Sequence, residues 1–302
     1  MGETETAVAP DALGRPGRLV DVEGTQLYVV EVGPQGNYPI VVLHGGPGLD
    51  HHEFADYLDP LTERGYRLIL VDQRASGRSP SCDPATWTLE VMAADVSRLA
   101  HSMVLESYAV LGHSYGAFVA LQHAVDHPGE ASHSIVSGGM PSARFLSDVD
   151  ANLDAFEPVE LRGQVKASWE RETSIRTRED FASVIHDQLP FHFADPLDPR
   201  IADYERRTAG TVYSPDVLRT LAANDYGSID VEGRLGEITQ PMLVTTGRFD
   251  RTCTPAASEA IAAGAPAAEL VIFEHSGHMT FVEEPEEYLA AVGNFLRRHG
   301  AG

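Results

Sequence analysis

The feature of this 302-residue sequence that most constrains its fold is a series of short runs in which nearly every residue is apolar. A strand with one face in water alternates apolar and polar residues, whereas a strand covered on both faces is apolar throughout. Runs of the second kind predict buried strands at 40–43, 67–71, 108–111, 134–136, 242–246 and 270–273. Apolar residues at helical spacing predict helices between them, at 89–104, 117–127, 255–263 and 284–298. This alternation indicates an α/β protein with a mostly parallel central sheet flanked by helices.

Two segments depart from this alternation. Near the start, residues 18–22 and 25–32 predict two strands joined by a hairpin turn at Glu23-Gly24. Residues 141–227 are rich in Asp, Glu and Arg, contain no buried-strand run, and show helical spacing at 165–178 and 180–188. We interpret residues 141–227 as a helical cap inserted into the sheet, so that the predicted core comprises residues 1–140 and 228–302.

The charge of the chain restricts its partners. Asp and Glu number 45 against 22 Lys and Arg, which gives a formal net charge of -23. Nucleic acids and anionic membranes are polyanions and repel such a chain, so we expect neither as a partner. The expected partner is a small-molecule or short-peptide substrate.

Three further features predict a cytoplasmic protein without a cofactor. Residues 1–18 contain no apolar run of the signal-peptide kind, and no segment is apolar over the length of a membrane span. Cys82 and Cys253 offer neither a disulfide framework nor zinc-ligand spacing. We therefore expect no metal site and no cofactor.

A candidate nucleophile follows the strand predicted at 108–111. Gly112, Ser114 and Gly116 form a G-x-S-x-G motif between that strand and a helix. The sharp turn holds the serine in a strained conformation, and the glycines leave room where a Cβ would collide with neighbouring backbone. The turn presents the hydroxyl at the helix N-terminus, whose partial positive charge stabilises an oxyanion. A glycine-rich turn without catalysis is the alternative, which the strand–turn–helix context disfavours.

Candidate partners for Ser114 come later in the chain. A serine hydroxyl needs a base, the base needs an orienting carboxylate, and in such folds the order is Ser, acid, His. Asp250 follows the strand at 242–246, whereas the loop after the preceding strand, 137–142, has no carboxylate. We predict His278 as the base because Gly277 lets its loop bend toward the site, and we expect His275 to be structural. The histidines expected to be solvated or packed, without supporting partners, are His51, His52, His101, His123 and His127.

A second glycine-rich loop, His44-Gly45-Gly46-Pro47-Gly48, follows the strand at 40–43. Consecutive glycines let the backbone approach a ligand with an N–H free to donate, and Pro47 stiffens the loop. We predict the amides of Gly46 and Tyr115 as the two donors of an oxyanion hole. A phosphate-binding loop is the alternative, but these residues lack the glycine spacing of the known phosphate motifs.

With these motifs the chain resembles the proline iminopeptidase family of α/β-hydrolases. The matching residues are the loop at 44–48, the segment Asp72-Gln73-Arg74-Ala75-Ser76-Gly77-Arg78-Ser79, the nucleophile turn, Asp250 and His278. The resemblance implies the α/β-hydrolase fold and a serine hydrolase that releases N-terminal proline or another residue from short peptides or aminoacyl amides. It also implies that Trp169 and Glu170 bind substrate, with Glu170 holding the free amino terminus. An ordinary surface residue is the alternative for Glu170.

Two departures from the family pattern bear on the substrate. Position 75 is Ala where family members usually carry Gly, and His113 stands where the better-known members have another glycine. G-H-S-x-G is common in esterases and lactonases, so a carboxylesterase or lactonase with the same triad is the alternative to an aminopeptidase. A lyase or a ligand-binding protein without catalysis is a third alternative, and the filled catalytic positions argue against loss of catalysis.

Overall fold

A computed structural model describes residues 10–301, and eight strands form one mixed sheet. The strands are β1 (Gly17–Val22), β2 (Thr25–Val32), β3 (Tyr38–Leu43), β4 (Tyr66–Asp72), β5 (Ala109–His113), β6 (His133–Ser137), β7 (Met242–Gly247) and β8 (Ala268–Phe273). Their order is β1-β2-β4-β3-β5-β6-β7-β8. The first two pairings, β1 with β2 and β2 with β4, are antiparallel, and all the others are parallel. The predicted α/β class and mostly parallel sheet are confirmed.

The apolar strands supply both faces of the sheet. Because successive side chains point to opposite sides of a strand, Val41 and Ile40 belong to different hydrophobic cores. The core around Val41 includes residues of α1 (Leu89–Ser102), α2 (Tyr115–Asp126) and α9 (Pro255–Gly264). The core around Ile40 includes residues of α11 (Pro285–Arg298). Coverage on both faces explains why these strands are mostly apolar and do not alternate with polar residues.

A helical region lies between β6 and β7, as predicted. Its helices are α3 (Leu146–Ala155), α4 (Val159–Arg171), α5 (Arg178–His192), α6 (Arg200–Arg207), α7 (Pro215–Ala222) and the distorted turn α8 (Asp225–Ser228). The helix predicted at 165–178 is wrong at its end, because the Thr177 side chain accepts a hydrogen bond from the Asp180 N–H and starts α5 with a capping box. The division into a core and a cap of 141–227 stays a prediction.

Short elements complete the chain. The α10 turn spans Thr280–Glu283, and 3₁₀ helices span His51–Phe54, Asp59–Arg64, Pro84–Thr86, Ala143–Phe145, Glu172–Ser174 and Glu232–Glu237. Residues 1–9 of the segment expected not to be a signal peptide, and residue 302 of the predicted core, lie outside the described residues. Within residues 10–301, no helix combines the length and the apolar character needed to cross a bilayer.

Candidate active site

Ser114 lies in the sharp turn between β5 and α2, with φ 54° and ψ −120°. A non-glycine residue in such a conformation stores about 1–3 kcal/mol of strain, which the surrounding structure must hold. A Cβ added at Gly112 would lie 2.0 Å from the Gly116 carbonyl oxygen, and one added at Gly116 would lie 2.2 Å from the Leu43 oxygen. Both glycines are therefore required by close backbone packing, which is the reason for the spacing of the motif.

Asp250 and His278 form a hydrogen-bonded pair at the carboxyl ends of β7 and β8. The Nδ1 atom of His278 lies 2.8 Å from Oδ2 of Asp250, and both residues are only 3% exposed. The other oxygen, Oδ1, accepts hydrogen bonds from the N–H groups of Thr252 and Cys253, each at 2.9 Å. The carboxylate is thus fixed on both sides and favours the tautomer with a proton on Nδ1. The other ring nitrogen, Nε2, is then the one that can accept a proton.

Charges around His278 favour its protonated form. Burial alone would lower the pKa of His278, but the charge and hydrogen bond of Asp250, with a smaller effect of Glu53, more than offset it and raise the pKa. The rings of His113 and His192 lie 4.8 and 5.3 Å from the His278 ring, centroid to centroid. Burial and the nearby charge of His278 hold the pKa of both well below its usual value, so they remain neutral. An imidazolium is therefore best accommodated at His278.

Ser114 and His278 line one cavity at the carboxyl edge of the parallel strands. The hydrogen bonds of residues 10–301 do not include one between the Ser114 hydroxyl and the His278 ring. Such bonds are often long in substrate-free sites and shorten when substrate binds. His275, the competing histidine, is exposed, and its backbone N–H donates to Glu284. The structure therefore brings Ser114, Asp250 and His278 to one edge and leaves His275 outside; their catalytic roles stay predictions.

Residues 44–48, which we name the oxyanion loop after their predicted role, lie directly against the predicted nucleophile Ser114. A Cβ added at Gly45 would lie 2.9 Å from the Ser114 Cβ, and Gly46 has a φ of 108° that only glycine adopts readily. Gly46 and Tyr115 line the cavity. The N–H groups of these two residues donate no hydrogen bond within the described part of the chain. Both predicted oxyanion donors are thus at the cavity with unused N–H groups.

The Asp72–Ser79 segment supports the oxyanion loop from behind. The Gln73 side chain donates to the His44 carbonyl at 2.6 Å, and Arg74 forms a bidentate ion pair with Asp95 at 2.7 Å. Ala75 adopts a φ of 58°, which accounts for the glycine usual at this position in the family that the sequence resembles. The Asp72–Ser79 segment is therefore a scaffold for the loop.

Two histidines expected to lack partners contribute to the same scaffold. The Nδ1 atom of His51 lies 2.6 Å from Oδ1 of Asp72, and Nδ1 of His52 lies 2.9 Å from Oδ2 of Asp50. All four residues are buried. The expectation of unpartnered histidines is thus wrong at His51, whose acid lies at the end of β4, and at His52, whose acid lies two residues earlier. It is also wrong at His127, which lies 3.3 Å from Glu130, and at His123, which lies 3.3 Å from the Ser97 hydroxyl.

Two buried carboxylates line the cavity, and the sequence motifs do not point to either. Glu53 accepts a hydrogen bond from the Gly45 N–H, and Glu172 accepts from the Gln188 side chain at 2.6 Å and from the Tyr226 hydroxyl. Burial raises the pKa of each carboxyl to about 7. Within residues 10–301, neither carboxylate pairs with an arginine or lysine. Much of the remaining lining is apolar and includes Leu49, Phe118, Met140, Leu146, Val149 and Phe181.

Of the two residues predicted to bind substrate, one lines the cavity and the other does not. Trp169 lines the cavity and packs edge-on against Phe191 and Tyr226. Glu170 is exposed on α4 and is not part of the cavity wall. Successive residues on a helix point about 100° apart, so Trp169 facing the cavity turns Glu170 away from it. The acid that reaches the cavity is Glu172, in the 3₁₀ turn after α4.

Comparison with known proteins identifies the family of this fold. Residues 38–285 match the family model described as alpha/beta hydrolase fold. A proline iminopeptidase of Heyndrickxia coagulans is 30% identical over 271 residues, covering 86% of this chain and 91% of the relative. The chain therefore belongs to the α/β-hydrolase fold family. Within that family it is proline iminopeptidase-like.

Solved structures place the fold in the same family. The crystal structure of a proline iminopeptidase from Mycobacterium smegmatis superposes with a TM-score of 0.75 at 26% identity, covering 94% of this chain and 98% of that one. An esterase from Exiguobacterium antarcticum superposes with a TM-score of 0.72 at 24% identity, covering 93% of this chain and 99% of that one. At that identity the esterase shows the shared fold alone.

Proposed function

We propose that this α/β-hydrolase is a serine aminopeptidase of the proline iminopeptidase type, acting on short peptides or aminoacyl amides. Ser114 attacks the scissile carbonyl while His278 accepts the hydroxyl proton at Nε2. Asp250 holds the imidazole and stabilises its charged form, and the amides of Gly46 and Tyr115 receive the oxyanion. His278 then gives the proton to the leaving amine, and water releases the acyl group from Ser114 by the same steps in reverse order.

The observation that carries the substrate class is the pair of buried carboxylates, Glu53 and Glu172, in an otherwise largely apolar cavity. A buried charge without a counter-ion is costly, and the protein supplies no arginine or lysine partner within the described residues. A substrate ammonium would supply the missing positive charge. The free amino terminus of a peptide is such a group, which supports the aminopeptidase proposal and replaces Glu170 by Glu172 as the residue proposed to hold it.

A carboxylesterase or lactonase is the second candidate, and the apolar part of the cavity wall favours it. The two candidates differ in the substrates that purified protein should hydrolyse. We expect turnover of Pro-, Ala- or Leu-arylamides to exceed that of short-chain p-nitrophenyl esters and acyl lactones, compared by kcat/KM. Ester or lactone turnover without arylamide turnover would reject the aminopeptidase.

Glu172→Gln should selectively lower the kcat/KM of substrates that carry a free amine. The change removes the negative charge and retains the size of the side chain, so kcat/KM for a Pro-arylamide should fall roughly 10- to 100-fold, the value of one charge-assisted hydrogen bond. Hydrolysis of a neutral p-nitrophenyl ester should change less than about threefold on the same scale. The matched control is Glu170→Gln, two residues earlier on the exposed side of α4, which should leave both substrates unchanged. If Glu172→Gln lowered kcat/KM equally for the arylamide and the ester, Glu172 would not be the residue that binds the substrate ammonium.

The acid limb of the pH profile should be steeper for amine substrates than for esters. As the pH falls, His278 gains a proton with every substrate, which gives a slope of about one in log kcat/KM. Glu53 and Glu172, with pKa values raised to about 7 by burial, also become neutral as the pH falls through that value and stop attracting an ammonium. The slope for a Pro-arylamide should therefore exceed one below pH 7, and Glu172→Gln should reduce it. Identical slopes for both substrate classes would contradict this assignment.

A further inference from the structure

The end of helix α5 contacts both loops that carry the proposed acid and base. The backbone N–H of His278 donates to the His192 carbonyl at 2.7 Å. On the other side, the guanidinium of Arg251, next to Asp250 in sequence, donates to the carbonyls of Phe193 at 2.7 Å and Ala194 at 3.1 Å. Residues 191–194, which we name the α5 end segment, therefore bridge the β7 and β8 loops.

The packing of this segment against the His278 loop leaves no spare room. A Cβ added at Gly277 would lie 2.5 Å from the His192 oxygen and 2.8 Å from the Ala194 nitrogen. The residue before the proposed base is thus in direct contact with the α5 end segment. A small displacement of either partner would move the His278 ring relative to Asp250.

A single buried carboxylate joins the α5 end segment to the loop that carries His278. Glu283, at the end of α10, is 5% exposed, and its Oε1 accepts a hydrogen bond from the Ala194 N–H at 2.8 Å. Its Oε2 accepts one from the Gly277 N–H, also at 2.8 Å. The backbone carbonyl of Glu283 accepts from the Arg200 guanidinium, which anchors the turn to α6. Two divergent acceptors on one side chain are a property of a carboxylate; a carboxamide has only one.

We propose that Glu283 is a positioning residue that holds His278 in line with Asp250 by locking the His278 loop to the α5 end segment. The inference rests on the proposed function, in which His278 is the catalytic base. It adds that the packing of the helical region against the sheet determines the position of the His278 ring. Arg251 holds the same segment from the Asp250 side, so an arginine of the β7 loop and a carboxylate of α10 together fix it.

Ionisation of Glu283 is consistent with this role. Burial raises its pKa to about 7, although the N–H groups of Ala194 and Gly277 and the nearby Arg200 act in the opposite direction. A carboxylate held by two N–H donors loses one acceptor when it takes up a proton. The geometry of the lock, with two hydrogen bonds at 2.8 Å, therefore corresponds to the charged form.

Glu283→Gln, compared with Glu284→Gln, tests the proposal. Glu284 accepts hydrogen bonds from the N–H of His275 and the hydroxyl of Ser276. It therefore contacts the same loop as Glu283, but at residues that do not bind the α5 end segment. The carboxamide of Glu283→Gln would direct its NH₂ group at one of the two backbone donors and release that contact. A misplacement of about 1 Å can cost about 100-fold in rate. We expect kcat to fall 30- to 100-fold with KM within about threefold, whereas Glu284→Gln should keep kcat within about twofold.

Controls separate failure of this inference from failure of the proposed function. Fluorophosphonate labelling of the wild type reports whether the chain is an active serine hydrolase, independently of Glu283. A labelled wild type with wild-type kcat in folded Glu283→Gln, or a KM effect without a kcat effect, would overturn the positioning role. If Glu283→Gln does not fold, Glu283→Asp keeps the charge but shortens the reach. That variant should lose roughly tenfold in kcat, and an unchanged kcat there would also overturn the proposal.

Discussion

Ser114→Ala should lower kcat/KM roughly 10⁴- to 10⁶-fold and abolish covalent labelling by a fluorophosphonate probe. The variant has no side-chain oxygen to form an acyl-enzyme, so only the oxyanion donors and substrate binding would remain to accelerate the reaction. The fold should be retained, because alanine meets the same positive φ as serine and removes only the hydroxyl. The measurement is steady-state hydrolysis together with probe labelling followed by mass spectrometry.

Ser168→Ala is the matched control for this change. Ser168 is buried in α4, and its hydroxyl donates to the Val165 carbonyl within the same helix. Its loss should leave both labelling and turnover close to wild type. Retention of labelling in Ser114→Ala, or labelled peptide that maps elsewhere, would place the nucleophile at another residue and remove the proposed mechanism.

Asp250→Asn should also have a large effect and lower kcat by about 10⁴-fold. The two N–H donors of Thr252 and Cys253 would take the single amide oxygen, which leaves the NH₂ group facing Nδ1 of His278. Nδ1 would then have to accept a hydrogen bond and the ring proton would move to Nε2. A histidine in that tautomer cannot take the proton from Ser114.

The control for Asp250→Asn is Asp148→Asn. Asp148 accepts a hydrogen bond from the Thr254 hydroxyl on the same β7–α9 loop, yet it does not contact His278. Its substitution should change kcat less than about threefold. A wild-type kcat in Asp250→Asn, measured on protein of unchanged melting temperature, would contradict the role of Asp250.

The sheet and the nucleophile turn were predictable because local sequence determines them. The strand β4 is buried at all seven positions, and its apolar run Leu68–Val71 shows this directly in the sequence. The glycines at 112 and 116 were predictable because the spacing of the motif marks the two positions where a Cβ would lie about 2 Å from a backbone oxygen. The contact between Asp250 and His278 could be predicted because both follow strands that end at one edge, and parallel strands bring their carboxyl ends together.

The substrate side of the site was less predictable because its residues depend on how helices are placed. Glu170 and Glu172 are two residues apart in an acidic stretch, and only the end of α4 and the turn after it decide which one faces the cavity. Glu53 reaches the cavity because its 3₁₀ turn folds back on the oxyanion loop. The spacing of apolar residues in the sequence does not indicate this fold-back. The partner of His51 also depends on tertiary folding, because Asp72 lies at the end of β4.

The neighbouring positions of β6 and β7 have a consequence for the evolution of specificity. Ser137 pairs with Thr245, although the whole helical region lies between the two strands in sequence. Lengthening a connection whose ends are already adjacent costs only about 0.6 kcal/mol for each doubling. The helical region, which we propose to bind the substrate, could therefore be exchanged or resized without moving the strands that carry the proposed triad. A grafted module would have to reproduce the backbone carbonyls that Arg251 and the His278 N–H bind, the N–H that Glu283 binds, and the arginine that anchors the Glu283 carbonyl.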